Sequence, residues 1–236
     1  MPFKIPGLDT YFGGKGGSGT YQQIINIIPP HKHLLVPFAG NCGVTRNIKP
    51  CQRTYVNDLD AVVVDAWLNS EAVKQGCISV NKKDAFEFIE IVFHSFNSYD
   101  SVNYWDPPYP KDTRKSNHKY KYELSDQQHL NLLDLAKKNK QHKILISTYD
   151  NPMYQHELKG WNNIQFTSQT RKGVAVETVY FNYDMPTELH DYSYLGNDYK
   201  EREQYKLKRS RLIDKFNRMT PLERNYYMEA LSNINF

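Results

Sequence analysis

The sequence predicts an α/β protein built on a doubly wound, mostly parallel sheet, and three observations lead there. Short apolar runs alternate with helix-period segments over most of the 236 residues, the pattern of a parallel sheet covered on both faces. Two later runs, joined by Arg171-Lys172-Gly173, read as an antiparallel hairpin that closes the sheet. The end of the chain is helix-period and rich in Lys and Arg, a helical C-terminal extension. A chain of this length can bury a full core in one domain. The expected division is an α/β domain over residues 1–186 and a basic helical extension over 187–236.

The elements follow in order. A helix-like run from Tyr21 to Ile28 is stopped by Pro29-Pro30, which remove backbone donors. Leu34-Leu35-Val36 is an apolar strand that runs into Pro37-Phe38-Ala39-Gly40-Asn41-Cys42-Gly43-Val44, a turn whose glycines let a ligand approach the backbone, with a helix able to follow. In an open α/β sheet ligands bind at the carboxyl ends of strands, so this turn is a candidate site. Arg53 to Asn57 is a second strand ending in Asp58, an acid placed for the two hydroxyls of a ribose; the same position suits the N-cap of a helix from Leu59 to Leu68. Phe86 to Phe96 reads as a helix and Val102 to Trp105 as a strand. Ser125-x-x-Gln128 is a capping box for a helix through about Lys138, and Lys143 to Ser147 is the next strand. Ile164 to Thr170 and Val174 to Asn182 form the hairpin. In the extension, Tyr205, Leu212, Phe216 and Met219 share one helical face, and Thr220-Pro221-Leu222-Glu223 starts a second helix with a cap, a proline and a box-forming acid.

The chemistry concentrates in Asp106-Pro107-Pro108-Tyr109-Pro110, directly after the strand ending at Trp105. The prolines stiffen the turn and leave carbonyls free to accept hydrogen bonds. A carboxylate, a rigid row of carbonyls and an aromatic ring suit the binding of a flat, amine-bearing ring. Asp106 and the Pro107 carbonyl accept both N–H bonds of the amine, which localises its lone pair for attack on an electrophile. Positive charge then develops beside Asp106, so the transition state gains more than the ground state. Tyr109 is expected to stack on the base after it leaves a duplex.

Together with Tyr11-Phe12-Gly13-Gly14-Lys15, these segments resemble the adenine-specific DNA methyltransferases related to the Dam methylases of bacteria and their phages, from Tyr11 to about Tyr183. The resemblance implies a Rossmann-like methyltransferase sheet and S-adenosylmethionine as cofactor. It implies cofactor contacts at Tyr11, Gly14 and Lys15, at Phe38, Gly40, Cys42 and Gly43 in the first turn, and at Asp58, Asp84 and Asp106. Within that set Asp58 matches the ribose acid, and Asp84 the acid beside the cofactor adenine. Asp106, Pro107, Pro108 and Tyr109 match the family's catalytic tetrapeptide. The segments from Pro110 to Arg114, from Tyr120 to Glu123 and from Ser125 to His129 look like the post-catalytic loop and helix of phage-type members. Two departures stand out. Ala85 follows Asp84 where the family usually has an aromatic residue. Only about twenty residues separate Asp84 from Asp106, where members often carry a sizeable target-recognition insert. Relaxed sequence specificity, or specificity supplied elsewhere, follows from the second.

The function so implied is site-specific methylation of the exocyclic N6 amine of adenine in DNA, through a flipped-out base, with duplex DNA as partner. Adenine methylation in RNA, cytosine N4 methylation in DNA and a catalytically silent nucleic-acid-binding protein are the alternatives. An aspartate at position 106 favours adenine by resemblance, and intact Tyr11, Lys15, Asp58 and Asp106 argue against a silent site. The stretch from Lys200 to Arg218 holds eight Lys or Arg against three acids, a net of +5 within a chain of net +4. Lys208, Arg209 and Arg211 there are candidate phosphate contacts, and a solvated amphipathic face is the plainer reading of the same charges. The loop from Lys111 to Lys121 has five lysines or arginines beside the catalytic turn, so Arg114 is a candidate DNA contact and Tyr120 and Tyr122 candidate stacking residues. Arg171 is a further candidate. Cys42, Cys51 and Cys77 show no metal or redox spacing, and Cys42 reads as a packing residue. His31-Lys32-His33 lacks supporting ligands, so the two histidines are expected at the surface and no metal is expected. With no membrane-length apolar run and no signal-peptide pattern, the expected setting is the cytoplasm of a bacterial cell, for a host or phage-encoded protein.

Overall fold

The computed structural model describes residues 2–8, 19–113, 121–170 and 173–234, which fall into two compact units, 1–192 and 193–236. In the first unit β1 (His33–Val36), β2 (Arg53–Asn57), β3 (Ile78–Asn81), β4 (Ser101–Trp105), β5 (Lys143–Tyr149), β6 (Asn162–Thr170) and β7 (Gly173–Phe181) make one sheet, ordered β3-β2-β1-β4-β5-β7-β6. The strands from β3 to β5 in that order run parallel, and β7 runs antiparallel to both β5 and β6. This is the doubly wound, mostly parallel sheet with a closing hairpin that the sequence predicts.

The helices are α1 (Thr20–Ile25), α2 (Gly43–Asn47), α3 (Ala61–Leu68), α4 (Glu71–Lys74), α5 (Ala85–Ser95), α6 (Asp126–Lys138) and α7 (Pro152–Glu157). Right-handed crossovers dictate their sides. Moving outward from β1 to β3 places α2 and α3 on one face, and the return through α5 to β4 and through α6 to β5 covers the other. Alternation along β5 matches: Ile144 and Ile146 join Ile89 of α5, Leu132, Leu133 and Ala136 of α6 and Tyr154 of α7 in one core cluster. Leu145, Ser147 and Tyr149 therefore project to the opposite face. β4 is buried at all five positions, as a central parallel strand must be.

The differences from expectation are local. α1 ends at Ile25, because Ile27 N and Ile28 N bond back to Ile24 O and Ile25 O, a tightened final turn. α3 begins at Ala61 with Asp60 as its N-cap, accepting from Val62 N at 3.0 Å, so the cap falls to Asp60 and not to Asp58. β3, α4 and α7 have no counterpart in the sequence reading; Asn151, capping α7 ahead of Pro152, is the signal that marks the last. The Ser125–Gln128 capping box forms as expected.

The first unit runs on through Tyr192. His190 N donates to Ile28 O at 3.0 Å, and Lys49 N donates to Asp191 Oδ2 at 2.7 Å. His31 is half-buried, not a surface residue: its ring stacks on His190 at 3.9 Å, and Nδ1 lies 2.9 Å from Pro29 O. His33 is half-buried against Tyr55 and Phe96.

The second unit contains α8 (Tyr199–Arg218) and α9 (Pro221–Ser232). Asp198 caps α8, and Thr220 with Glu223 forms the predicted capping box of α9. Tyr205 and Leu212 on the apolar face of α8 are exposed, while Phe216 and Met219 are half-buried. No helix among the described residues is long and apolar enough to cross a membrane.

Candidate active site at the sheet reversal

The order of the sheet reverses between β1 and β4, and a cavity of about 310 Å³ opens beyond the carboxyl ends of these strands. The topology makes this the natural crevice, since loops leaving β1 and β4 turn to opposite faces. Its walls are Pro37 to Cys42 after β1, Asp58 and Leu59 after β2, Asp84 to Phe86 after β3, Asp106 and Pro108 after β4, and Lys121 to Leu124 with Gln128.

The first turn is shaped by Gly40, whose φ of +42° lies in the left-handed region. Both of its backbone groups are used: Gly40 N donates to Asp58 Oδ2 at 2.8 Å, and Gly40 O accepts from Trp67 Nε1 at 2.8 Å. Cys42 caps α2, its sulfur accepting from Thr45 N at 3.4 Å and Thr45 Oγ1 at 3.2 Å. Burial pushes its thiol up to about 11, the Thr45 contacts oppose this and the charge of Asp106 adds to it. A thiol so held is a packing and capping group. Gly43, in the first turn of α2, is buried and does not line the cavity.

Asp58 takes two backbone donors, Gly40 N and, at 2.9 Å, Asp60 N. A carboxylate has about four acceptor positions, so two remain for a ligand. Burial raises its pKa, against the lowering effect of those N–H groups. Beneath it Asn57, wholly buried, ties three strand ends together. Its Nδ2 donates to Pro37 O and Lys83 O, each at 3.1 Å, and its Oδ1 accepts from Lys83 N at 2.9 Å. The sequence reading passed over Asn57, although a buried amide at a strand end is a signal of this kind of tie.

Asp84 caps α5, accepting from Phe86 N at 2.9 Å, and is otherwise exposed on the cavity rim. Phe86 supplies the aromatic wall that Ala85 does not. Lys121 Nζ reaches Asp60 Oδ1 at 2.9 Å, so segment 121–124 is fastened along one side of the cavity. Burial raises the pKa of Asp60, but Lys121 and the Val62 N–H outweigh it and hold the acid below its ordinary value. Tyr122, a predicted DNA contact, lines the cavity and is 43% exposed.

Of the tetrapeptide Asp106-Pro107-Pro108-Tyr109, Asp106 and Pro108 line the cavity, while Pro107 and Tyr109 are buried outside its lining. Tyr109 differs most from expectation. At 4% exposure its ring offers no open stacking face. The hydroxyl donates to Glu177 Oε2 at 2.8 Å and lies 3.3 Å from Ser147 Oγ, and the ring meets Tyr149 edge-on at 4.5 Å. Burial, with the charge of Asp106 next, pushes the Tyr104 phenol well above its ordinary value and keeps it neutral.

Phe38, Gly40, Cys42, Asp58, Asp84 and Asp106 thus meet around one space. Tyr11, Gly14, Lys15, Arg114, Tyr120 and Arg171 lie outside the described residues. Lys208, Arg209 and Arg211 are exposed on α8 of the second unit. The described lining holds four carboxylates, Asp58, Asp84, Asp106 and Glu123, and one ammonium, Lys121. That balance favours a ligand carrying positive charge. Apolar walls from Phe38, Leu59 and Phe86, with acceptors left on Asp58, fit a nucleoside; the carboxylates fit a sulfonium or an amino group. S-adenosylmethionine has all three features, so the residues present fit it. No group of three or more His, Cys, Asp or Glu among the described residues is arranged to hold a metal ion.

No protein-family model matches the chain, and no curated protein matches it in sequence. Solved structures that share part of its backbone arrangement include a SAM-dependent methyltransferase from Agrobacterium tumefaciens, 13% identical over 69% of this chain and 60% of that one, with a TM-score of 0.40. The chain therefore spans less than two thirds of that protein's length. A methyltransferase from Geobacter sulfurreducens is 12% identical over 68% of this chain and 74% of its own, with a TM-score of 0.41. An rRNA methylase from Streptococcus thermophilus is 7% identical over 68% of this chain and 92% of its own, with a TM-score of 0.42.

Proposed function

We propose that the chain is an S-adenosylmethionine-dependent methyltransferase that modifies the exocyclic N6 amine of adenine in DNA. The observation that carries this reading is the convergence of the Phe38–Cys42 turn, Asp58 and Asp106 on one cavity from the ends of three neighbouring parallel strands. When bound, S-adenosylmethionine supplies an electrophilic methyl group on a positively charged sulfur. Asp58 would hold the ribose hydroxyls on its two remaining acceptor positions, and Phe38, Leu59 and Phe86 would supply the apolar walls for the adenine. The carboxylates offset the positive charge.

On the substrate side, Asp106 accepts a hydrogen bond from the target amine and the Pro107 carbonyl takes the second, directing the nitrogen lone pair into the cavity. As nitrogen bonds to the methyl carbon, the methyl–sulfur bond would break with its electron pair going to sulfur. The positive charge growing on nitrogen would be stabilised by the fixed Asp106 carboxylate without reorganising, and the surplus proton would leave to that carboxylate or to water. Direct transfer needs no covalent enzyme intermediate, in keeping with the raised pKa of Cys42. The base reaches Asp106 only after leaving the duplex. Tyr122 at the cavity and the exposed Lys208, Arg209 and Arg211 supply stacking and phosphate contacts in this reading, together with Arg114, Tyr120 and Arg171.

The test is methyl transfer from labelled S-adenosylmethionine to unmethylated duplex DNA, with single-stranded DNA and RNA alongside and digestion to identify the base. N6-methyladenine in DNA, lost in Asp106→Ala while the fold and cofactor binding persist, is the expected result. Product only in RNA, or only at cytosine, moves the substrate assignment. Full activity in Asp106→Ala overturns the site.

A further inference from the structure

Glu177 stands in the middle of β7 at 4% exposure, within the run Val174-Ala175-Val176-Glu177-Thr178-Val179. Burying a carboxylate is costly unless donors compensate, so its partners indicate what it does. Tyr109 Oη donates to Oε2 at 2.8 Å, and Ser168 Oγ of β6 donates to Oε1 at 3.1 Å. Glu177 pairs in register with Tyr149 of β5, and Tyr149 contacts the same tyrosine ring edge-on at 4.5 Å. One cross-strand pair therefore holds Tyr109 at both ends, the hydroxyl by Glu177 and the ring by Tyr149. Ser147, on the same face of β5 as Tyr149, stands 3.3 Å from the hydroxyl; with the phenol proton committed to Glu177, Ser147 is left to donate.

We propose that Glu177 is a positioning residue for the methyl-transfer step, acting through Tyr109 to fix the turn that carries Asp106. This rests on the methyltransferase reading of the cavity. Tyr109 follows Asp106 by three residues across two prolines, whose fixed φ angles transmit the position of one end of the turn to the other. With the phenol locked into β5 and β7, the stiff turn narrows the positions open to Asp106. Small misplacements of a reacting group cost large factors in rate, so such an anchor acts on kcat. The tyrosine hydroxyl then matters as much as its ring, the opposite of what stacking alone requires.

The decisive variants are Tyr109→Phe, which keeps the ring and removes the hydroxyl, and Glu177→Leu, Glu177→Gln and the Tyr109→Phe/Glu177→Leu double variant. Steady-state transfer to duplex DNA is measured while S-adenosylmethionine and DNA are varied separately, with thermal melting to confirm folding. The expected result is a fall in kcat of about tenfold to a hundredfold in Tyr109→Phe, the size of a lost hydrogen bond to a charged acceptor. KM for S-adenosylmethionine stays close to the wild-type value. Glu177→Leu and the double variant fall no further than Tyr109→Phe, and Glu177→Gln, which keeps an acceptor, loses clearly less. Wild-type kcat in Tyr109→Phe overturns the proposal even if Glu177→Leu fails to fold, and so do additive losses in the double variant. A wild-type chain that methylates no nucleic acid instead overturns the methyltransferase reading, and the anchor falls with it.

Discussion

Lys121 Nζ, on the cavity wall, lies 2.9 Å from Asp60 Oδ1 and so joins segment 121–124 to the N-cap of α3. The lysine is largely solvated, so the pair contributes little to folding, but it fastens Tyr122, Glu123 and Leu124 beside the ligand space. Lys121→Met is expected to raise the Kd for S-adenosylmethionine a fewfold, mainly through faster release, and to remove the part of its salt sensitivity that comes from the Lys121–Asp60 pair. Calorimetry and stopped-flow dissociation at low and high salt check this; Lys121 is the better probe because Asp60 also caps a helix.

Asp58 makes cofactor affinity depend on pH. The ionised carboxylate can accept from both ribose hydroxyls, protonation takes one of those two acceptor positions, and burial raises the pH at which this happens. Affinity is therefore full at neutral pH and falls on acidification, starting above the ordinary carboxylate range. Asp58→Asn should weaken binding by roughly 1.5–3 kcal/mol and flatten the profile, measured by titration from neutral to mildly acidic pH.

Asn57 is expected to matter for stability and not for chemistry. Asn57→Leu removes the partner of the buried Pro37 O and of the part-buried Lys83 O and Lys83 N, at a cost of roughly 1–3 kcal/mol in unfolding free energy. Denaturant titration measures the loss. Cofactor affinity should recover at temperatures well below the lowered Tm.

His31 sets an acid limit. Burial first and His190 second lower its pKa from 6.5 to about 3, while the Pro29 carbonyl opposes them and Lys143 and His33 add to the fall. His190 is lowered as well, chiefly by burial, with Asp191 opposing. A histidine whose folded value lies below its unfolded one is neutral in the fold and charged in the unfolded chain. Stability is thus present above pH 6.5 and declines as pH drops toward 3, by about 1.4 kcal/mol per pH unit for this group. Thermal melts across that range should show the slope, and His31→Phe, which keeps the stack on His190, should reduce it.

What the sequence disclosed depended on how local each signal is. Strands β1, β2, β4 and β5, the hairpin and both capping boxes are written in short runs of residues and appear where the sequence puts them. β3 is four residues with two polar positions, too short for periodicity to mark it. The position of Asp58 was legible as a strand tip, yet not its division of labour with Asp60, because both acids suit a helix start. Asp106 was read as facing a ligand and lines the cavity, but Tyr109 was assigned an open ring where the structure buries it. Its actual surroundings come from Ser147, Tyr149 and Glu177, which reach it only through pairing of β5 with β7. Long-range contacts of this kind leave no trace in spacing.

The adjacency of β1 and β4 has a consequence for how the chain matures. These two strands pair although β2, β3 and four helices intervene in sequence, so their contact is non-local. Until β4 docks, the turn after β1 faces no Asp106 and the cavity does not exist. A ligand of this cavity recognises the finished fold and none of its precursors, and by mass action adds about 2.7 kcal/mol at a hundredfold excess over its Kd. Supplied during synthesis or refolding, it would act as a folding ligand and raise the yield of native chain.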